Sequence, residues 1–589
     1  MSTTLKTKWK LQALFGVDGP NDSAIRNYVN AEKRRLDAFA KKYKTQTAYL
    51  QSAKKLKEAL DAYVALDAHS SKLMFLYLSQ HLDNADTTIT ALINKYQQEL
   101  VPYYNKIVFF ELALGTIPRK QQHTFLKSPT LSEYQYMLAK IFENAQYNLT
   151  AKEEELLNLL GAPSGGMWVD GVKKLRSRQE VVHNGKRMPI TEAQERYHRL
   201  PTGERRKLWK AIREMYRDTV ADFAESEINA LYTRKKITDE LRGFAEPYSA
   251  TVISYENTEQ SIKALVTAVT DAFPVAHRFY RLKKKMSGLK EFQYCDRGID
   301  VGTITKQFDF KTAYHQVHEA FGYFGEEYAA ILESMASRGQ IDVYPKTSKS
   351  GGAFCWGSTN NPTFVLLNHT DDFRSMTTLA HEMGHAIHTE LSNTQPLQYQ
   401  GYTTSVAETA STFFEQVVFD HVIATLPERE QIIALHDKIS GTIATVFRQI
   451  ACFNFEYDLH MRVRERGFVP KGDIAELLNT HMQSYVGKAV TIHEDDGYFF
   501  TAWSHIRNHF YVYSYAYGEL ISAALYARYK QDPTFKAEIK TFLSAGCSMS
   551  PDEIFAAIGV DTTDPSFFTD GIKQIESDIA RLERLVRER

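Results

Sequence analysis

The chain has 589 residues, of which 43% are hydrophobic and 24% charged, which excludes a disordered or collagen-like polypeptide. Lysine and arginine number 71, as do aspartate and glutamate, so no whole-chain charge drives binding to nucleic acid or an anionic membrane. Cys295, Cys355, Cys452 and Cys547 are scattered without a C-x-x-C pair, which supports neither a disulfide framework nor a thiolate zinc finger.

The stretch Met1 to Val17 is polar and lysine-bearing, without the apolar run of a signal peptide. No window of about 18 consecutive apolar residues follows anywhere, so no membrane span is expected. The expectation is a soluble cytoplasmic protein. Residues 25–110 alternate charged and apolar positions at three and four, as in Leu56, Leu60, Tyr63, Val64 and Leu66, the spacing of amphipathic helices. Thr150 and Glu153 have the spacing of a capping box. Gly161 to Gly166, with Pro163, reads as a helix breaker. Residues 178–195 are polar, with Asn184-Gly185 as a turn. A boundary is placed near 195–200, giving a helical N-terminal domain over 1–195 and a second helical domain over 196–589. Leu200-Pro201-Thr202 opens a helix with Trp209, Ile212, Met215 and Tyr216 on one face. Lys283-Lys284-Lys285 reads as a solvated helix end.

One segment departs from the helical pattern. Residues 353–357 and 362–368 read as two short strands joined by a Ser-Thr-Asn-Asn loop. Asp371 and Asp372 stand where a helix N-cap belongs.

The next helix carries His381-Glu382-Met383-Gly384-His385, the pattern H-E-x-x-H. Residues four apart share a helix face, so both imidazoles can reach one zinc ion at about 2.0–2.1 Å. Glu382 is then placed to act as base on an activated water. A catalytic zinc site takes a third protein ligand and keeps one position open. Glu408, in the small-residue segment Ser405 to Thr412, is the favoured third ligand, with Pro396 and Gly401 in the intervening turn. His388 lies one turn further along the same helix and reads as a residue lining the pocket. Glu415 is two turns beyond Glu408 and either orients a ligand or is a solvated acid.

A second cluster, Trp503 to Gly518, is dense in tyrosine and histidine, residues suited to donate hydrogen bonds to a developing oxyanion.

These blocks resemble the zinc peptidases of the oligoendopeptidase F / thimet oligopeptidase family, the oligoendopeptidase F branch best. The likeness rests on Gly352 to Cys355 with Pro362 to Asn368, on His381 to His388 with Ala407 to Thr412, and on Phe510 to Gly518, over about residues 200–580. It implies a mainly α fold, with two helical halves enclosing a deep substrate channel and a small β-sheet beside the motif helix. It implies one zinc per chain held by His381, His385 and Glu408, with Glu382 as general base. His505 and Tyr515 match the family's contacts to the substrate carbonyl, with the choice among Tyr511, Tyr515 and Tyr517 open. Gly352, Ala353 and Phe354 then form the strand edge along which a short oligopeptide lies, and His388 and Tyr517 border it. The implied activity is hydrolysis of internal bonds in short unstructured peptides. Two other readings stay open. One is a metal-dependent exopeptidase, in which Arg507 holds a terminal carboxylate. The other is an inactive peptide-binding protein.

Overall fold

The computed structural model describes residues 5–15, 22–358 and 361–588. Thr359 and Asn360 of the expected loop lie outside the described residues, as do Met1–Thr4, Gly16 and Val17. Helices make up most of the chain, with a hairpin and one three-stranded sheet.

The N-terminal helices obey their sequence spacing. Leu56, Leu60, Val64 and Leu66 are buried, and Tyr63 packs beside them. Thr150 forms the capping box with Glu153 at the head of helix Ala151–Gly161. The expected break at Gly161–Gly166 does not occur. The chain passes through one wide π-type turn, Ala162–Gly166, into helix Met167–Ser177. The extra residue in that turn relieves the clash that Pro163 would make in a regular helix.

Residues 178–195 are not a featureless connector either. Strands β1 (Glu180–His183) and β2 (Lys186–Pro189) pair antiparallel around Asn184-Gly185. Both turn residues have positive φ, 52° and 76°, as a two-residue hairpin turn requires. The boundary expected near 195 is not a break in packing. One core runs from Val172 to Leu582, so hairpin residues Val181 and Met188 and helix residues Leu208 and Trp209 belong to the same cluster. The separate N-terminal clusters take in residues 36–138 and 9–100.

The small sheet has the order β3 (Ile341–Asp342), β5 (Phe364–Leu366), β4 (Phe354–Trp356). β3 runs parallel to β5, and β4 runs antiparallel to it with Cys355 opposite Val365. β4 is therefore an edge strand. Phe364 and Leu366 on β5 are buried against Trp9, Phe75 and Leu76. The Trp9 indole donates to the carbonyls of Gln340 and Val365 at 3.0 and 2.8 Å. The first described residues thus clamp the back of the sheet.

The elements around the motif are helices α1 (Phe373–Ser392), α2 (Thr404–Ile423), α3 (Glu428–Thr445), α4 (Phe447–Arg466) and α5 (Tyr513–Gln531). Asp372 caps α1, its carboxylate accepting the Ser375 N–H at 2.7 Å. α1 and α2 meet at Gly384. A Cβ there would lie 2.6 Å from Ser411 Cα and 2.8 Å from the Ala410 carbonyl oxygen. α2 and α5 meet at Gly518, where a Cβ would lie 2.9 Å from Glu408 Cβ. Both glycines are sites of close backbone approach.

Gly384→Ala is expected to destabilise the protein by about 1–3 kcal/mol, because the overlap is with backbone and outweighs alanine's helix-propensity gain of about 1 kcal/mol. A denaturant midpoint equal to or above wild type would show that α1 and α2 are not pressed together there.

Candidate active site

Within the described residues, one group of histidine and carboxylate side chains has donor atoms close enough to share a cation: His381, His385 and Glu408, all within 4.8 Å of one another. His381 and His385 lie one turn apart on α1, with ring planes at 83°. Glu408 comes from α2 across the Gly384 contact. Its Oε2 is 3.3 Å from His381 Nε2 and 3.6 Å from His385 Nε2. Ligand atoms held at about 2.0–2.1 Å in a tetrahedral arrangement stand about 3.3 Å apart, so this donor set fits a zinc ion. Two imidazoles and one carboxylate are also a donor set that suits zinc, with a fourth position left for water or substrate.

Two of the three side chains are oriented from behind. The Glu415 carboxylate accepts from His381 Nδ1 at 3.0 Å, which turns Nε2 toward Glu408. Ser411 donates to Glu408 Oε2 at 2.9 Å. Burial disfavours the charged form of His381, but hydrogen bonds to Glu408 and Glu415 outweigh it and hold its pKa well above the ordinary value. Burial pulls His385 down to about 4. Burial alone would raise Glu408, yet the His381 hydrogen bond and the neighbouring imidazole charges take it to about 2. A neutral imidazole, as at His385, and an ionised carboxylate are the forms in which these side chains bind metal.

Glu382 is 6% exposed. Burial, reinforced by Glu408 and Glu415 and opposed by His381, lifts its pKa to about 7. Helix α1, which carries Glu382, packs against edge strand β4. Gly352, with φ of 75°, and half-buried Ala353 lead into that edge. The Asn368 side chain donates to the Gly352 carbonyl at 2.7 Å and fixes the approach. Phe354 packs toward Trp9 and His81, away from the edge.

The aromatic cluster resolves into two faces. Tyr515 lines a cavity of about 830 Å³ together with His381, Glu408 and Glu415. Tyr511 is 5.6 Å from Tyr515, ring to ring, and burial together with the neighbouring Tyr515 raises the Tyr511 phenol. His505 stacks near Tyr515 at 6.2 Å and lies 5.3 Å from Tyr511. Burial and the charge of Arg448 lower the His505 pKa. The turn between them is unusual. His509 and Phe510 both have positive φ, and the Phe510 N–H donates to buried Glu456 at 3.1 Å. Glu456 thereby holds Tyr511 in place.

Three expected residues lie elsewhere. Tyr517 is fully buried, bonded to Asp552 at 3.2 Å and packed on Phe555 and Phe568. Residues two apart on a helix face away from each other, so Tyr515 and Tyr517 do not share the cavity. His388 is 1% exposed and stacked on Tyr402 at 3.8 Å, with burial lowering its pKa to about 3. It is a core residue, not a pocket wall. Arg507 is locked to buried Glu227 through two hydrogen bonds of 2.8 and 2.6 Å, so it is not free to hold a carboxylate.

Sequence reasoning missed the far wall of the cavity, formed by Ile433, Asp437, Gly441 and Thr445 on α3, and Glu519 on α5. Glu519 bonds to Thr442 at 3.0 Å. Its position four residues after Tyr515, on the same helix face, was the available signal.

The family model described as peptidase family M3 matches residues 202–574, and that described as oligopeptidase F matches residues 114–170. The group B oligopeptidase PepB of Streptococcus agalactiae is 25% identical over 571 residues, 91% of each chain. Oligopeptidase PepF of Bacillus subtilis is 24% identical over 603 residues, 98% of this chain and 87% of that one. A crystal structure from Chlamydophila abortus superposes with a TM-score of 0.85 at 20% identity, covering 98% of both chains. Oligoendopeptidase-F from Enterococcus faecium gives 0.72 at 19% identity, over 95% of this chain and 99% of that one. At these identities the structural likeness speaks for the fold.

Glu408→Ala is expected to abolish stoichiometric zinc binding, and Glu415→Ala to weaken it by about 10–100-fold, as measured by competition with a chelating dye. Unchanged affinity in Glu408→Ala would remove it from the ligand set.

Proposed function

The chain belongs to peptidase family M3, and from that membership we propose that it is a zinc-dependent oligoendopeptidase that cuts internal bonds of short unstructured peptides in the cytoplasm. The observation that carries this reading is the convergence of His381, His385 and Glu408 beside a buried Glu382, on a helix packed against strand β4. Four free cysteines suit a reducing compartment. Among the described residues no helix is long and apolar enough to cross a membrane.

The steps follow from the side chains. An extended peptide adds to the free edge of β4 through main-chain hydrogen bonds, which bind without strong side-chain selection. The chemistry supplied by zinc when bound is Lewis acidity, which polarises a carbonyl and acidifies water. A carboxylate oxygen of Glu382 takes the proton of the attacking water and passes it to the leaving amine. A pKa near 7 suits both transfers. The Tyr515 hydroxyl and the His505 ring donate to the oxyanion, with the Tyr511 ring packed edge-on against Tyr515. A cavity of about 830 Å³ admits a flexible peptide segment and excludes a folded domain.

The exopeptidase reading loses its cation once Arg507 is engaged by Glu227. The inactive-scaffold reading has to explain why Glu382 and all three ligands are intact and converged.

An internally quenched peptide is expected to be cut at an internal bond, with loss of activity in chelator and recovery on zinc addition. Glu382→Gln should lower kcat by about 10²–10⁴-fold while keeping zinc and peptide affinity. Turnover near wild type would remove Glu382 from the base role. Tyr515→Phe should lower kcat by about 10²–10³-fold with little change in KM. A change confined to KM would make Tyr515 a binding residue.

A further inference from the structure

The main chain that leads into β4 has no side-chain cover. A Cβ at Gly351 or Gly352 would meet nothing within 4 Å. Bare backbone beside a strand edge suits an extended peptide, but two adjacent glycines do not fix their own course. The course is set from outside. Lys349 is buried in the sheet, its Nζ donating to the carbonyls of Tyr344 and Leu367 at 2.8 and 2.6 Å and pairing with Asp342 at 2.7 Å. Ser350, the next residue, bonds instead to an N-terminal helix.

That helix, Met74–Leu82, backs the sheet with Phe75, Leu76 and Leu78. The last turn of a helix leaves carbonyls without partners inside it, and the His81 carbonyl takes the Ser350 N–H at 2.8 Å. The His81 ring meets Ser350 Oγ through Nδ1 at 2.7 Å and packs on Phe354 of β4 at 4.7 Å. Asn84, just past the helix, donates from Nδ2 to the same Oγ at 2.9 Å, and its N–H goes to the Ser348 carbonyl at 2.7 Å. With Asn84 donating to the oxygen, the hydroxyl proton is free to go to Nδ1 of a neutral ring, the form that burial favours at His81. Ser348, with φ of 65°, and Gly352, with φ of 75°, are the left-handed residues at which the loop bends. Asn368 closes the far side, donating to the Ser350 and Gly352 carbonyls at 2.8 and 2.7 Å.

We propose that His81 is a positioning residue for peptide binding: through Ser350 it holds the loop Ser348 to Gly352 so that the main chain of Gly351 to Ala353 continues the β4 edge along which the substrate lies. This inference deepens the peptidase reading above and rests on it. It assigns to the N-terminal helices an effect on affinity for peptide backbone and none on the metal.

The test is binding to zinc-loaded Glu382→Gln, read by anisotropy with a fluorescent nonapeptide and with a set in which one backbone amide at a time is an ester. An ester lacks the N–H, so esters at positions paired with a strand edge are expected to weaken binding about 5–10-fold. Adding H81A should weaken the all-amide peptide by a similar factor and cut the ester penalty to below about twofold. S350A should do the same, the two together should cost no more than either alone, and H81N, which keeps an acceptor near Nδ1, should retain part of the affinity. In the protein carrying Glu382, H81A should raise KM and leave kcat within about twofold, with zinc affinity unchanged. A merely structural role would lower zinc affinity and kcat together and leave the ester penalty in place. S350A removes the same hydrogen bond from a half-exposed loop, so the test holds even if H81A does not fold. Full affinity in both variants, an ester penalty that persists in them, or no ester penalty in the parent protein would overturn the proposal. Absent turnover by the protein carrying Glu382 would mark failure of the peptidase reading instead.

Discussion

A side chain at position 384 would collide with the backbone of Ser411, and everything at the centre of this protein follows from its absence. α1 and α2 come close enough for a carboxylate on one to meet two imidazoles on the other. Gly518 repeats the device between α2 and α5, at the level of Glu408. Three helices are thus pinned at one height. The two contacts place His381 and His385, Glu408, and Tyr515 around a common space without a long or flexible side chain having to reach for it. Preorganisation of this kind is supplied by packing, which is rigid, instead of by loops, which are not.

The second constraint is the small sheet. Its centre, β5, is buried against the N-terminal helices, and the Trp9 indole bonds to its backbone. That leaves β4 exposed on one edge while its other edge is fixed. α1 packs on this strand, so the edge that would hold a peptide and the helix that carries Glu382 are fixed against each other. The N-terminal helices bear on the site through this route, although among the described residues none of them lines the cavity.

Much of this was legible in the sequence because local rules carry it. The i, i+4 histidines, the Asp372 cap, the small residues around Glu408 and the β-rich run before the motif each have a mechanism acting within a few residues. What escaped depends on tertiary placement. His388 and Tyr517 have the residue types of a site but point into the core, and a side chain's type does not say which way its helix faces. Arg507 looks free in sequence but meets Glu227, which is 280 residues away. The Gly161–Gly166 break failed because a π-type turn absorbs Pro163.

On the proposed function, two imidazoles from one helix and a carboxylate from the next hold a single metal ion. X-ray absorption at the zinc edge of the zinc-loaded protein tests it directly. One zinc per chain is expected, coordinated by nitrogen and oxygen only, with scattering from two imidazole rings. A sulfur neighbour, or a third imidazole in place of the carboxylate, would contradict it.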